Sequence, residues 1–346
     1  LLSKLLSDKI IQVLLPLPLV GVFDYLADEN LNLRLGDFVT VPLSGREIQG
    51  VVWKLSPGKK DVPLTKLKYI LRKSELPTVP SSLMDFVQWV AGYTLSPLGS
   101  VLKMALSVPR KFGKEKKKIF YRLSTDVNTK LTTARKRVIN AAVSDMPMAV
   151  RSWAEQAIVS EGVIRGMIKA GQLIPVKVSG EESFLEPDQE MPRATLSDEQ
   201  QIAADHIIVK QRLGTHQTIL LEGVTGSGKT EVYFEAIAEA LNDKSSQILV
   251  LVPEISLTAQ WLDRFKERFG AAPVIWHSEM TPAQRRRTWW ATIRGEARVI
   301  VGARSALFLP LQNLKLVIVD EEHSQTFKQD EGVMYHGRDM AVVRAM

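Results

Sequence analysis

The 346 residues carry 45 Lys and Arg against 38 Asp and Glu, a net charge of +7, with 45% hydrophobic residues. That balance belongs to a folded chain of two or three domains and excludes disorder as the default, while the positive excess favours a polyanionic partner, nucleic acid before anionic membrane. Cysteine is absent, which excludes disulfides and thiolate zinc sites within these residues, and the five histidines show no metal-ligand spacing.

Residues 10–23 are apolar beside a basic amino terminus, but Gln12, Pro16, Pro18 and the lack of a small-x-small cleavage site argue against a signal peptide. No run reaches the roughly 20 apolar residues of a membrane span, so a cytoplasmic location without membrane attachment is expected. Residues 1–110 read as a β-rich domain, with strands at 11–15, 38–41 and 48–55 punctuated by Asp37, Pro42, Gly45 and Pro57, and helix spacing at 83–93. Residues 111–128 open with a lysine-rich stretch that is either a solvated linker or a DNA-backbone contact. Within 129–180 the pattern predicts helices at 132–143, 151–156 and 160–170 followed by a strand, the order of a winged helix. Its third helix carries only Arg165 and Lys169, so an interaction module is as well supported as a sequence reader. Residues 181–194 are an acidic, Pro-containing linker.

From 195 to 346 strands predicted at 219–223, 248–253, 274–277, 299–303 and 315–320 alternate with helices, which builds a parallel α/β sheet. The first should be a buried strand leading into Gly223-Val224-Thr225-Gly226-Ser227-Gly228-Lys229-Thr230, a complete Walker A phosphate loop. Its glycines let backbone N–H groups face phosphate oxygens, Lys229 reaches the β- and γ-phosphates, and Thr230 ligates Mg²⁺. The last strand delivers Asp320-Glu321-Glu322-His323 at its carboxyl end, with Asp320 placed for Mg²⁺ and Glu321 for the attacking water. ATP and Mg²⁺ are therefore the expected cofactors. Residues 251–260 and 301–308 each run from a strand into a helix start, with Arg304 and Ser305 facing a nucleic-acid backbone. Gln200, in Leu196-Ser197-Asp198-Glu199-Gln200, looks like an adenine reader. The triplet Arg285-Arg286-Arg287 with Trp289-Trp290 reads as a basic face over packed tryptophans.

Taken in order, L-x-x-E-Q, GVTGSGKT, LVPEISLT, VGARSALF and DEEH resemble a superfamily-two DNA helicase. The continuation into residues 327–332 and 335–339, with Leu15-Pro16-Leu17-Pro18 and Phe23-Asp24-Tyr25-Leu26 near the start, is similar to the amino-terminal part of the PriA family of primosomal replication-restart helicases. The resemblance implies an α/β and α+β multidomain fold: a β-rich amino-terminal domain, a winged helix, and a RecA-like helicase lobe incomplete at its carboxyl end. It further implies capture of a nascent 3′ end by Phe23, Asp24, Gly45 and Lys68, and a DNA-sensing loop with Phe327 and Tyr335 as stacking faces and Lys328 and Arg338 as phosphate contacts. Forked and single-stranded DNA, single-strand-binding protein and primosome loading factors are the implied partners of a monomer, and zinc is expected only in a further downstream module. A chain that starts at Leu1 and stops inside an apparent helix at 337–346 is expected to be part of something longer. Without a second lobe these residues should hydrolyse ATP poorly, so a non-catalytic, structure-specific DNA-binding fragment stays open beside the motor, as does another superfamily-two DNA motor.

Overall fold

The computed structural model describes residues 9–56, 63–106, 118–124, 131–140, 148, 150–178, 184–253 and 259–346. The chain divides into two units, one made of residues 1–110 and 184–346, the other of residues 111–183.

The first unit begins with β1 (Lys9–Leu14), β2 (Phe23–Ala27), β3 (Phe38–Leu43), β4 (Arg46–Lys54) and β5 (Arg72–Lys73), an antiparallel sheet of order β2-β1-β4-β3-β5. Alternation directs Ile11, Val13, Val39, Val41 and Val52 to one face, where they bury together with Tyr25 and Ile70. The β3–β4 hairpin closes on Ser44 and Gly45, both at positive φ (48° and 77°), the two-residue turn that fits the strand twist. Beyond it, Leu26 N–H donates to Lys68 O and Ile70 N–H to Leu26 O, while Leu71 N–H donates to Thr40 O. The stretch 68–73 thus leaves β2 and joins β3, curling the sheet toward closure. Helices α1 (Ser81–Tyr93) and α2 (Leu98–Ala105) follow.

In the second unit β6 (Lys118–Leu123) and β7 (Leu173–Val178) form an antiparallel pair flanking α3 (Thr133–Asn140), α4 (Val150–Ala157) and α5 (Glu161–Lys169). Trp153 is its buried centre, its indole N–H donating to Tyr121 O at 2.8 Å. Strand β6 lies inside the stretch read from sequence as linker; the lysines before it masked the period-2 run that pairs with β7. Most of the lysine-rich stretch, residues 111–117, lies outside the described residues, as do 141–143 of the first predicted helix of this unit.

The remainder of the first unit holds α6 (Asp198–Arg212), α7 (Lys229–Leu241), β8 (Gln247–Leu251), α8 (Ala259–Phe269), β9 (Val274–Trp276), α9 (Pro282–Ile293), β10 (Val299–Gly302), β11 (Leu314–Val319), β12 (Lys328–Gln329), β13 (Tyr335–His336) and α10 (Gly337–Ala345). Strands β8 to β11 form an all-parallel sheet of order β11-β8-β10-β9. Every residue of β8 is buried, as a strand covered on both faces requires. Phe234 of α7 meets Trp261, Phe265 and Phe269 of α8 edge-on at 5.7 Å, sealing one face of the sheet.

One predicted strand is not in this sheet. Residues 215–224 have no ladder partners, and Leu220 and Val224 are 68% and 79% exposed. The helices on either side explain the path: Gln211 of α6 donates to Ala236 O of α7, and Arg212 binds Glu239 through Nε and Nη2. The apolar run bridges two already docked helices over the surface, and β11 stands as the sheet's edge.

The β domain and the parallel sheet share a seam. Trp289 of α9 is fully buried, donates its indole N–H to Ala105 O at 2.8 Å, and meets Phe38 edge-on at 5.9 Å. Phe86 of α1 packs on Phe308 at 5.2 Å, and the Arg344 guanidinium lies over the Phe86 ring. The tryptophan reading therefore holds, but the arginines are less free than expected: Arg285 reaches His277 O and lies over Trp276, and Arg287 lies over Phe184. Among the described residues no helix is long and apolar enough to cross a membrane.

Candidate nucleotide site and nucleic-acid interface

The phosphate loop is built by backbone needs that only its sequence meets. Gly226 and Gly228 both sit at φ +80°, a region that L side chains enter at a cost of about 1–2 kcal/mol. A Cβ on Gly223 would stand 2.5 Å from Ser227 Oγ, so a side chain there would have to displace that hydroxyl. Gly228 caps α7, so the Lys229 and Thr230 N–H groups at the end of the loop have no helical acceptor. Lys229 Nζ donates to Gly223 O (2.8 Å) and Val224 O (3.2 Å), which keeps the ammonium over the mouth of the loop. These features fit a nucleoside polyphosphate, and the Thr230 hydroxyl and Asp320 carboxylate are hard oxygen donors suited to Mg²⁺ with phosphate and water completing the shell. Among the described residues no cluster of three or more His, Asp or Glu forms a separate metal site.

Gln200 is engaged at both ends of its carboxamide. Its Oε1 accepts from Ser197 N–H (2.9 Å) in a capping box that starts α6, and its Nε2 donates to Ser227 O (2.9 Å) in the phosphate loop. The expected adenine reader is thus bonded to the loop that holds phosphate.

At the end of β11, Asp320 Oδ1 accepts from Glu321 N–H (3.0 Å) and Oδ2 from the Tyr233 hydroxyl (2.9 Å). Trp261 donates its indole N–H to the same phenol oxygen at 2.7 Å, and Thr230 is also within the phenol's hydrogen-bonding reach. Burial first, and the Asp320 charge second, push the Tyr233 phenol well above its ordinary pKa, so it is a committed O–H donor. Glu321 has φ +49°, uncommon for a non-glycine residue and typical of backbone held for function. Its carboxylate lies 3.4 Å from His323 Nε2. Glu322 accepts from Arg338 Nη1 at 2.9 Å, which ties the acidic box to the start of α10. Sequence reasoning passed over Tyr233 and Trp261; the available signal was a tyrosine one helical turn after Lys229, hidden among the apolar residues of α7.

Three of the expected DNA contacts are corrected. Phe327 is 1% exposed and Tyr335 6%, the latter edge-on to Phe308 at 5.5 Å, with its phenol pKa raised by burial. Neither ring presents a face to a base. The short β12–β13 hairpin folds both inward, and burying each aromatic, at about 1.5–3 kcal/mol, outweighs holding it in water. Arg304 is also committed elsewhere: its guanidinium reaches Gln329 Oε1 (2.9 Å), Thr326 O and Lys328 O, fastening the 326–329 turn to the end of β10. Ser305 is exposed and its Oγ accepts from Trp276 Nε1, while Lys328 is exposed and paired with Asp330. Arg338 pairs with Glu322 and Asp339. The apolar side chain that does protrude here is Met334. Residues 254–258 of the second motif lie outside the described residues.

In the β domain Asp24 is half-buried, its Oδ1 accepting from Gln12 Nε2 at 3.2 Å, and Phe23 packs partly against the core. The Leu26–Lys68 backbone bond makes β2, which carries Asp24, a direct neighbour of exposed Lys68. Gly45 lies at the hairpin tip, where its positive φ is a sufficient reason for a glycine.

Residues 12–107 match a family model described as the 3′ DNA-binding domain of PriA, and residues 197–341 match the DEAD/DEAH box helicase model, which implies ATP and Mg²⁺ use. The chain is 33% identical to the replication restart protein PriA of Rickettsia felis over 97% of its own length and 41% of that protein's. It is 34% identical to the protein of the same description from Haemophilus influenzae over 97% of this chain and 47% of that one, and 42% identical to that of Bacillus subtilis over 54% and 23%. It therefore spans less than half the length of these relatives. With both models matched in order, the β domain first and the parallel sheet second, the chain belongs to the PriA family.

Proposed function

We propose that this chain works in the cytoplasm as the fork-recognising and nucleotide-binding part of a replication-restart helicase. The observation that carries the reading is the coexistence, in one packed unit, of a 3′ DNA-binding domain match and a phosphate loop whose helix is joined to Asp320 through the Tyr233 hydroxyl. In this reading the β domain takes the nascent 3′ end through Asp24 and Lys68 on adjoining strands, with Phe23 beside them and Gly45 shaping the hairpin. Residues 129–180 act as a winged helix against duplex DNA, and Lys328, Ser305 and Arg338 meet the single strand.

At the nucleotide, Lys229 and the amides at the start of α7 hold the phosphates, Thr230 and Asp320 orient the metal, and Glu321 draws the proton from the attacking water. Bound Mg²⁺ would neutralise charge on the phosphates. The transition state also needs a mobile cation. In this reading that cation comes from a second lobe, as the resemblance to superfamily-two helicases implies, and this chain alone hydrolyses slowly. Such a cation is worth about 10³–10⁵ in rate in comparable phosphoryl transfers.

The test is ATP hydrolysis by the purified chain with and without forked DNA, with Lys229→Ala as control. DNA-stimulated hydrolysis that Lys229→Ala abolishes supports a motor. Tight fork binding with no hydrolysis, even after a second lobe is supplied, would replace it with a non-catalytic DNA-binding module.

A further inference from the structure

Three side chains from three elements meet beneath the nucleotide site. The Tyr233 hydroxyl lies 2.9 Å from Asp320 Oδ2 and Trp261 Nε1 lies 2.7 Å from the Tyr233 oxygen. The direction of both bonds follows from chemistry: an indole N–H can only donate, so the phenol oxygen accepts from Trp261 and its single proton is left for the carboxylate. Tyr233 and Trp261 are both buried, their rings locked by Phe234, which meets each of them edge-on at 5.5 and 5.7 Å. The chain is therefore rigid and has one sense, from α8 through α7 to the end of β11.

We propose that Tyr233 is a positioning residue that fixes the rotamer of Asp320 for the metal, and that Trp261 sets Tyr233, so that the start of α8 is mechanically linked to the metal ligand. Tyr233 is one turn beyond Lys229 and belongs to the same helix as Thr230. One rigid helix thus carries the phosphate-binding lysine, the metal-binding hydroxyl and the group that aims the metal-binding carboxylate. Trp261 is the third residue of α8, the helix that follows β8 in the chain. A shift of the start of α8 moves the donor that sets Tyr233, and a change at Asp320 is felt at the indole. Partners that orient a metal ligand from behind in this way are worth about 10–100-fold in metal affinity.

This inference rests on the nucleotide-site reading, and the test separates the two. The affinity of a fluorescent N-methylanthraniloyl ADP is measured with EDTA and with saturating Mg²⁺ for the wild-type chain, Asp320→Asn, Tyr233→Phe and Trp261→Phe. Tyr233→Phe keeps the ring and removes only the hydroxyl. The expected result is a Mg²⁺-dependent tightening in wild type that is lost in Asp320→Asn and reduced about tenfold in Tyr233→Phe, with the affinity in EDTA changed less than about twofold. Trp261→Phe shows the same loss to a smaller degree, and provides a second variant should Tyr233→Phe fold poorly. In 5-fluorotryptophan-labelled protein, the ¹⁹F resonance missing from Trp261→Phe shifts on addition of Mg²⁺ and ADP in wild type but not in Tyr233→Phe. If wild type and Asp320→Asn behave as stated while Tyr233→Phe tightens like wild type, the positioning role is overturned alone. If wild type ignores Mg²⁺, or Asp320→Asn keeps the response, the metal-site reading falls and takes this inference with it.

Discussion

The Gln200 carboxamide braces the phosphate loop from outside, and its removal separates two ways of reading a nucleotide. In Gln200→Ala the bond from Nε2 to Ser227 O is lost, as is the acceptor for Ser197 N–H. A neutral hydrogen bond of this kind contributes about 0.5–1.5 kcal/mol. The Ser197 bond stabilises the start of α6, so only the Ser227 bond acts on the loop. About 1 kcal/mol of lost loop order corresponds to roughly a fivefold weaker dissociation constant. Because the brace touches the phosphate end, the loss falls equally on ATP, GTP and tripolyphosphate. Gln200→Glu places an anion against Ser227 O and the phosphates, and weakens all three further. Isothermal titration calorimetry with the three ligands in saturating Mg²⁺ measures this directly. A loss confined to ATP, with tripolyphosphate binding unchanged, refutes the brace and restores adenine reading.

Trp289→Ala removes a fully buried indole and orphans the Ala105 carbonyl, and urea denaturation should show a loss of about 4–5 kcal/mol for the first unit, against about 2 for Trp289→Phe. Arg344 is buried with Nε and Nη2 unpartnered, and burial pushes its pKa down to about 10. A base whose folded pKa is depressed binds fewer protons folded than unfolded above that value, so its penalty is fully present at neutral pH and is relieved only as pH rises past 10. Arg344→Met should therefore stabilise at pH 7, by about 1–2 kcal/mol after loss of the contact with Phe86; destabilisation in the same urea assay would contradict this. Asp24→Ala should weaken binding to forks with a free 3′-hydroxyl more than to forks with a 3′-phosphate in fluorescence anisotropy, and equal weakening would remove Asp24 from end recognition.

Much of the fold was legible because period and punctuation agreed. The alternation at Ile11 and Val13, and at Val39 and Val41, marks half-buried strands, and the apolar runs at 248–251 and 299–302 mark interior parallel ones. Strand β2 escaped because Phe23-Asp24-Tyr25 reads as a motif, and its strand character depends on pairing with β1. The nucleotide site was legible through glycine spacing, whose φ demands are local. The DNA face was not, because whether Phe327, Tyr335 and Arg304 face solvent is decided by how a two-residue hairpin folds against β10 and α10. No local pattern encodes that contact.

The seam between α9 and the amino-terminal helices bears on inheritance. Trp289, Phe308 and Arg344 of the sheet-bearing half require Phe38, Phe86 and Ala105 of the other. A recombination joint between these halves yields a working chimera only when both sides of that set come from the same parent. The β domain and the parallel sheet thus evolve as one heritable block.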